Sequence, residues 1–387
     1  MPILNSIAAL HDEVTGWRRH LHENPELLYD VHRTAAFVAD KLRAFGVDEI
    51  VTGIGRTGVV GVIRGKTNRS GRVIGMRADM DALPIEEITG LSYASKVAGK
   101  MHACGHDGHT SMLLGAAKHL TETRNFDGTA IVIFQPAEEG GAGGKAMCDD
   151  GMMARFGIQE VYGLHNMPGI PVGTIATRPG PLCAASDAVK IIVEGKGGHG
   201  AEPHKAIDTV VVGANIVMAL QTIVARNLDP LKCGVVTVGA FNSGHVGNVI
   251  PQKAELLVTV RSQEPAVHDM LQKRVTETAE GIARSYGATA TVHYTRLYPP
   301  TVNHPRETDF AVAVAKSVAG DAHVIADTPP LMGSEDFSFM LNERPGNMIM
   351  LGNGDTPGCH HPAYDFNDAA IPLGVSYWVR LVEMGMP

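Results

Sequence analysis

Between positions 102 and 109 the chain holds His102, Cys104, His106, Asp107 and His109, and a smooth apolar helix pattern follows. Cys104 and His106, two apart on a turn, can face one ion, and thiolate plus imidazole suits zinc or another borderline transition metal. Taken singly, Cys104 reads as a small buried hydrophobe and the stretch as a polar loop. Four other segments decide against that reading. Asp79 and Asp81 follow the apolar run RVIGM, Glu138 and Glu139 follow AIVIF, His165 follows VYGL, and His360 and His361 lie in the loop beyond NMIML. Open α/β sheets bind ligands beyond the carboxyl ends of their strands. All these segments therefore point to one rim. The carboxylates widen the metal choice toward manganese, while His102 and His109 read as supporting or surface groups.

The adjacent pair Glu138 and Glu139 specifies the chemistry. On an extended segment neighbours face opposite ways, so one can ligate an ion while the other stands over a water. A divalent ion lowers the pKa of water from about 16 toward 7, and a nearby carboxylate takes the proton. That is metal-assisted hydrolysis.

The elements that position these residues follow from length and pattern. At 387 residues the chain exceeds the usual limit of one core, so two domains are expected. Hydrophobic content of 44% with 19% charged residues is ordinary for a globular protein. The net charge of −8, without a lysine/arginine run, argues against nucleic acid or an anionic membrane as partner. An anionic substrate then needs a local basic group. Cysteines at 104, 148, 183, 233 and 359 form no CxxC pair, which suits a reducing cytoplasm. MPILNSIAALHDEV lacks the features of a secretory signal. IDTVVVGANIVMALQTIV, broken by Asp208, Asn215 and Gln221, reads as a buried helix and not a membrane span.

Residues 4–45 predict two helices broken at HENPEL, with Gly46 as stop. GVVGVI, RVIGM, a helix over 110–121, AIVIF and VYGL then predict an α/β layer with a mostly parallel sheet. Beyond the linker RPGPLCAASD come AVKIIVEG, a helix over 206–225, GVVTVGAF, KAELLVTVR, a helix over 266–286 and ATATVHY. That order, βαββαβ, is the ferredoxin-like split-βαβ arrangement. RLYPPTVNHP closes it. The expectation is an inserted domain at 184–298 inside a discontinuous catalytic domain of 1–183 and 299–387. GIGRTG (53–58) spells a dinucleotide motif but precedes a β-type run where a helix is required. GGAGGKA has the wrong spacing for a phosphate loop.

The segments RRHLHENPEL, MRADMDALPIEE, MHACGHDGHTSMLLGAA, FQPAEEGGAGGKAM, GLHNMPGIPVGTIATRPGPLCAASD, GGHGAEPHKAIDTV, GNVIPQKAELLVTVR, GSEDFSFM and HHPAYDFND run almost from end to end. In them the sequence resembles the dinuclear metal amidohydrolases related to aminoacylase and carboxypeptidase G. The branch is that of hippurate hydrolases and plant auxin–amino-acid conjugate hydrolases. The resemblance implies a zinc-peptidase-like catalytic domain, an inserted lid and dimerisation domain, and two divalent ions, manganese or zinc, with cobalt or nickel also accepted. It implies metal ligands at Cys104, His106, Glu139, His165 and His360, the last chosen over His361 by spacing before Pro362. Glu138 takes the general acid/base place and Asp81 that of the orienting aspartate. Other branches carry histidine where Asp79 stands. His199 matches a histidine lent to the neighbouring subunit's site in a homodimer or higher homo-oligomer, and Asn248 and Arg261 match substrate-binding positions. The implied reaction is hydrolysis of the amide bond of an N-acyl amino acid or short peptide, with benzoyl, acetyl and indole-acetyl groups all open. A cysteine-nucleophile amidase built on Cys104 and His106 would leave the surplus carboxylates unexplained. A non-catalytic peptide-binding protein would have no use for Glu138.

Overall fold

The structure, a computed structural model, describes residues 5–387; Leu4, where the first predicted helix begins, lies outside them. Two compact units form. One takes the chain up to Leu182 with Val302–Pro329 and Asp336–Pro387, and the other takes Cys183–Thr301 with Pro330–Glu335. The last segment was expected with the catalytic domain. It joins the second unit because Cys183 bridges to Leu331 and the Ala184 N–H donates to the Gly333 carbonyl at 2.8 Å. Pairing between segments so far apart in the chain leaves no trace in local composition.

The first unit is built on an eight-stranded mixed sheet. At its centre Thr129–Gln135, Val73–Asp79, Glu160–Pro168 and Gly346–Gly354 run parallel in that order. Their near-continuous burial is what parallel strands covered on both faces require. Glu49–Ile54 and Gly58–Arg64 form an antiparallel hairpin at the edge, so GIGRTG is a hairpin turn. Helices His11–Glu23 and His32–Phe45 follow the short turn Asn5–Ala8, and Gly46 ends the second with φ of +79°. The predicted helix over 110–121 runs longer, as His106–Thr123, and buries Met112, Leu113, Leu114, Ala116, Ala117 and Leu120 completely. Its first turn stands at the carboxyl ends of the central strands, which supply Asp79 and, three residues beyond Gln135, Glu138.

The second unit has a four-stranded antiparallel sheet in the order Gly234–Ser243, Lys253–Ser262, Ala185–Glu194, Thr289–Tyr298. With helices Thr209–Arg226 and Pro265–Ser285 this is the split-βαβ topology. Asp208 caps the first helix by accepting from the Val210 N–H at 2.9 Å. That helix is long and apolar enough to cross a membrane, but its stripe Val212, Ile216, Leu220 and Ile223 is buried in this unit's core. Its other face is open, with Val210, Val211 and the 70% exposed Met218. The helix is therefore half-buried, a correction to the expectation of a buried one.

Candidate metal centre

Two triplets of potential ligands meet in the first unit. Cys104, His106 and His165 form one, Cys104, Glu139 and His360 the other, and within each triplet the donor atoms lie within 4.8 Å of one another. Cys104 belongs to both. Its Sγ is 3.4 Å from His165 Nε2, while Glu139 Oε1 lies 3.3 Å from His360 Nε2 and 3.9 Å from His106 Nε2.

Local backbone aims these groups. Gly105, between Cys104 and His106, has φ of +88° and caps the helix that begins at His106. Any Cβ there would overlap the side chains of Asn166 and Tyr364, so only glycine serves. The ring of His106 donates from Nδ1 to the Asp81 carbonyl at 2.8 Å, and that of His165 donates from Nδ1 to the Asn166 carbonyl at 2.6 Å. Each ring is thus held with Nε2 toward the cluster, the usual way a protein sets the ligating nitrogen of histidine. His165 is still within the strand Glu160–Pro168, not beyond it as the run VYGL suggested.

Glu138 and Glu139 are not on an extended segment. They open a short turn, Glu138–Gly141, entered through Ala137 in the left-handed region at φ of +55°. The Asp81 carboxylate accepts both of their backbone N–H groups, at 2.9 and 3.1 Å. One aspartate therefore orients the whole pair. Glu138 is buried, and its carboxylate falls within 4.8 Å of ligating atoms of His106 and Glu139. Burial opposes ionisation of Glu139, but the hydrogen bond from His360 and the charge of His106 hold its carboxyl below the ordinary range.

The donor set fits divalent ions. His106 Nε2 is buried without a hydrogen-bond partner, and it faces Glu139 Oε1 across 3.9 Å. Orphaned buried polar atoms are costly unless something fills the gap, and thiolate, imidazole and carboxylate together suit zinc, manganese or cobalt. His109 is excluded as a ligand. Its Nδ1 donates to Asp79 Oδ1 at 2.7 Å and its Nε2 accepts from the Asn166 N–H at 2.9 Å, so neither nitrogen is free. Burial pushes its pKa down to about 4, and it stays neutral. Asp79 is likewise spoken for, since Arg77 Nη1 donates to its other oxygen at 2.7 Å. His102 is buried with both nitrogens unpartnered, and burial lowers its pKa to about 4. Of the two loop histidines, His360 is at the cluster, held by its N–H to the Ala103 carbonyl at 2.7 Å; His361 accepts from the Ala363 N–H.

The remaining expected site residues lie in the second unit. His199 and Asn248 come together there: the strand pair Gly198–His199 and Val249–Ile250 sets His199 opposite Val249, and the Gly200 N–H donates to the Asn248 carbonyl at 2.8 Å. His199 Nδ1 accepts from the Ala201 N–H at 3.1 Å, leaving its exposed Nε2 as the proton-bearing nitrogen. Arg261 is on a different sheet, where Nη1 donates to Thr259 Oγ1 at 2.6 Å and the Val260 carbonyl at 2.9 Å.

Several groups at the site carried no signal in the sequence. Arg77 is fully buried and also donates to Gln135 at 2.8 Å and Asp336 at 2.9 Å. Cys359 is partly buried, and the neighbouring Cys104 thiol, against burial and with help from nearby imidazoles, brings its pKa down to about 6. Asn166 Nδ2 donates to the Cys104 carbonyl at 2.6 Å, and the Tyr364 hydroxyl donates to Asn166 Oδ1 at 2.8 Å. All but Cys359 stand inside motifs quoted above, yet residue type alone did not separate them from packing.

A catalytic α/β unit with this histidine–cysteine–glutamate cluster, interrupted by a split-βαβ unit, defines a class of hydrolase. Residues 75–384 match peptidase family M20/M25/M40, and the chain belongs to it. It is 41% identical to the hippurate hydrolase of Campylobacter jejuni over 98% of both chains, and 39% identical to the N-acetyl-L-cysteine deacetylase of Bacillus subtilis over 97% of this chain and 88% of that one. Among solved structures it resembles the Bacillus subtilis YXEP protein, a dinuclear metal-binding peptidase of family M20. The TM-score is 0.85 with 33% identity, covering 98% of this chain and 99% of that one.

Proposed function

We propose that this protein is a metal-dependent amidohydrolase that cleaves N-acyl amino acids to a carboxylic acid and a free amino acid. The observation that carries the reading is the pair of ligand triplets sharing Cys104, with Glu138 beside them. Cys104, His106 and His165 would hold one ion and Cys104, Glu139 and His360 a second, manganese or zinc. When bound, such ions polarise a carbonyl and acidify water. Glu138 takes a proton from the attacking water and delivers it to the amide nitrogen as the C–N bond breaks, so that R–CO–NH–R′ and water become a carboxylate and an ammonium. Asp81 keeps Glu138 in place through its backbone.

His199 donates from Nε2 to the carbonyl oxygen as negative charge develops there, Asn248 beside it contacts substrate, and Arg261 pairs with the substrate carboxylate. The working form is a homodimer made through the second unit, with His199 serving the partner's centre. Exposed Val210, Val211 and Met218, together with Phe241 on the edge strand Gly234–Ser243, support that choice of surface. Five free thiols suit a reducing, cytoplasmic setting.

The test is a hydrolysis panel of N-benzoyl, N-acetyl and indole-acetyl amino acids on protein stripped of metal and then given zinc, manganese, cobalt or nickel. Stripped protein should be inactive, and added ion should restore release of amino acid and acid in equal amounts. Full turnover by protein shown metal-free by elemental analysis would overturn the reading.

A further inference from the structure

We infer that Asn166, with its amide locked by Tyr364, is the positioning residue that fixes the shared ligand Cys104 and the ring of His165. The inference rests on the metal-centre reading above and assigns work to two residues that reading leaves idle.

Both side chains are fully buried. Every polar group of Asn166 is used. Nδ2 donates to the Cys104 carbonyl at 2.6 Å, Oδ1 accepts from the Tyr364 hydroxyl at 2.8 Å, the backbone N–H donates to His109 Nε2 at 2.9 Å, and the carbonyl accepts from His165 Nδ1 at 2.6 Å. One residue thus holds the main chain at one ligand and the ring of another, while His109 ties it back to Asp79 on the neighbouring strand.

The Tyr364 hydroxyl decides which way the amide points. On its other side Asn166 faces two acceptors, the Cys104 carbonyl and His109 Nε2 at 3.1 Å from Nδ2. A flipped amide would set Oδ1 against both. Donation from Tyr364 to Oδ1 prevents the flip, so the turn Cys104-Gly105-His106 is drawn toward Asn166, which is also why Gly105 has no room for a Cβ. The geometry therefore predicts an effect on ion binding beside whatever the lost bonds cost the fold.

The experiment uses Asn166→Asp and Tyr364→Phe in the full chain, with Tyr377→Phe as control. Asn166→Asp keeps the shape and the acceptor but removes the donor to Cys104; Tyr364→Phe keeps the ring. Tyr377 is also buried, and its hydroxyl has no hydrogen-bond partner, so its loss reports the general effect of deleting a core hydroxyl. Metal-stripped proteins are titrated with zinc and with manganese by calorimetry, cobalt is added to read the thiolate-to-cobalt charge-transfer band, and the melting temperature of each stripped protein is taken. Asn166→Asp should weaken ion affinity by about 10–100-fold, the usual effect of removing a group that orients a ligand. Tyr364→Phe should weaken it in the same direction, and both should shift or diminish the cobalt band, with Tyr377→Phe like wild type. Should Asn166→Asp fail to fold, Tyr364→Phe carries the test alone. Unchanged affinity and band in a folded variant overturn the inference, as does a fall in melting temperature without a fall in affinity. Wild-type protein that binds no ion would instead overturn the metal reading, a result visible before any variant is made.

Discussion

Glu138 and Glu139 differ by one bond in sequence and by role in the proposed reaction. Asp81 grips both backbones, so exchanging either side chain for glutamine leaves the turn in place. Glu138→Gln should lower turnover by about 10²–10⁴-fold, the span of general acid–base catalysis, while ion content stays at the wild-type level. Glu139→Gln should instead lose ion, because its Oε1 sits between His106 and His360. Elemental analysis of both variants beside their turnover separates the roles; ion lost from Glu138→Gln and kept by Glu139→Gln would reverse them.

At the scale of elements, the helix carrying His106 is anchored to its neighbour by buried charge. Asp107, in its first turn, accepts from His22 Nδ1 at 2.8 Å and lies 3.8 Å from Arg18 Nη1, both on His11–Glu23. His22 also faces Glu87 at 3.4 Å, Tyr93 edge-on and His102. Burial works to lower the His22 pKa, but the hydrogen bond and charge of Asp107, with Glu87, raise it from an ordinary 6.5 to about 9. A histidine whose pKa is higher in the folded protein binds its proton more tightly there. Its stabilisation is complete below pH 6.5 and is lost as pH rises through 9. The melting temperature of wild type should therefore exceed that of His22→Gln most at pH 6, and the difference should shrink steadily toward pH 10. A gap that does not change with pH would show that His22 packs and does not hold a charge.

For the whole molecule the proposals about the second unit set the predictions. If His199 serves the partner's centre, inactive His199→Ala and Glu138→Gln proteins should regain activity when mixed and allowed to exchange subunits, since one hybrid site carries both intact residues. No recovery, with exchange verified by mass-tagged subunits, would place His199 in its own subunit's site or outside catalysis. Arg261→Ala should raise KM for free-carboxylate substrates far more than for their amides. Equal losses on both would mean that its bonds to Thr259 and Val260 are its whole role.

What the sequence determined by itself is the family, the parallel-sheet and split-βαβ layers, and the residue types for a metal centre. These are written in local terms: hydrophobic period, glycine and proline punctuation, and ligand spacing on single turns. The structure alone decided how those residues divide among tasks. That His109 is spent on Asp79 and Asn166, that Asp81 holds two glutamates by their backbones, and that Cys104 belongs to both triplets depend on which atoms meet across strands far apart in the chain. The segment Pro330–Glu335 joined the second unit for the same reason. A side chain's chemistry can be read from its type, but whether its nitrogen or oxygen is free for an ion depends on partners that only folding brings within 3 Å.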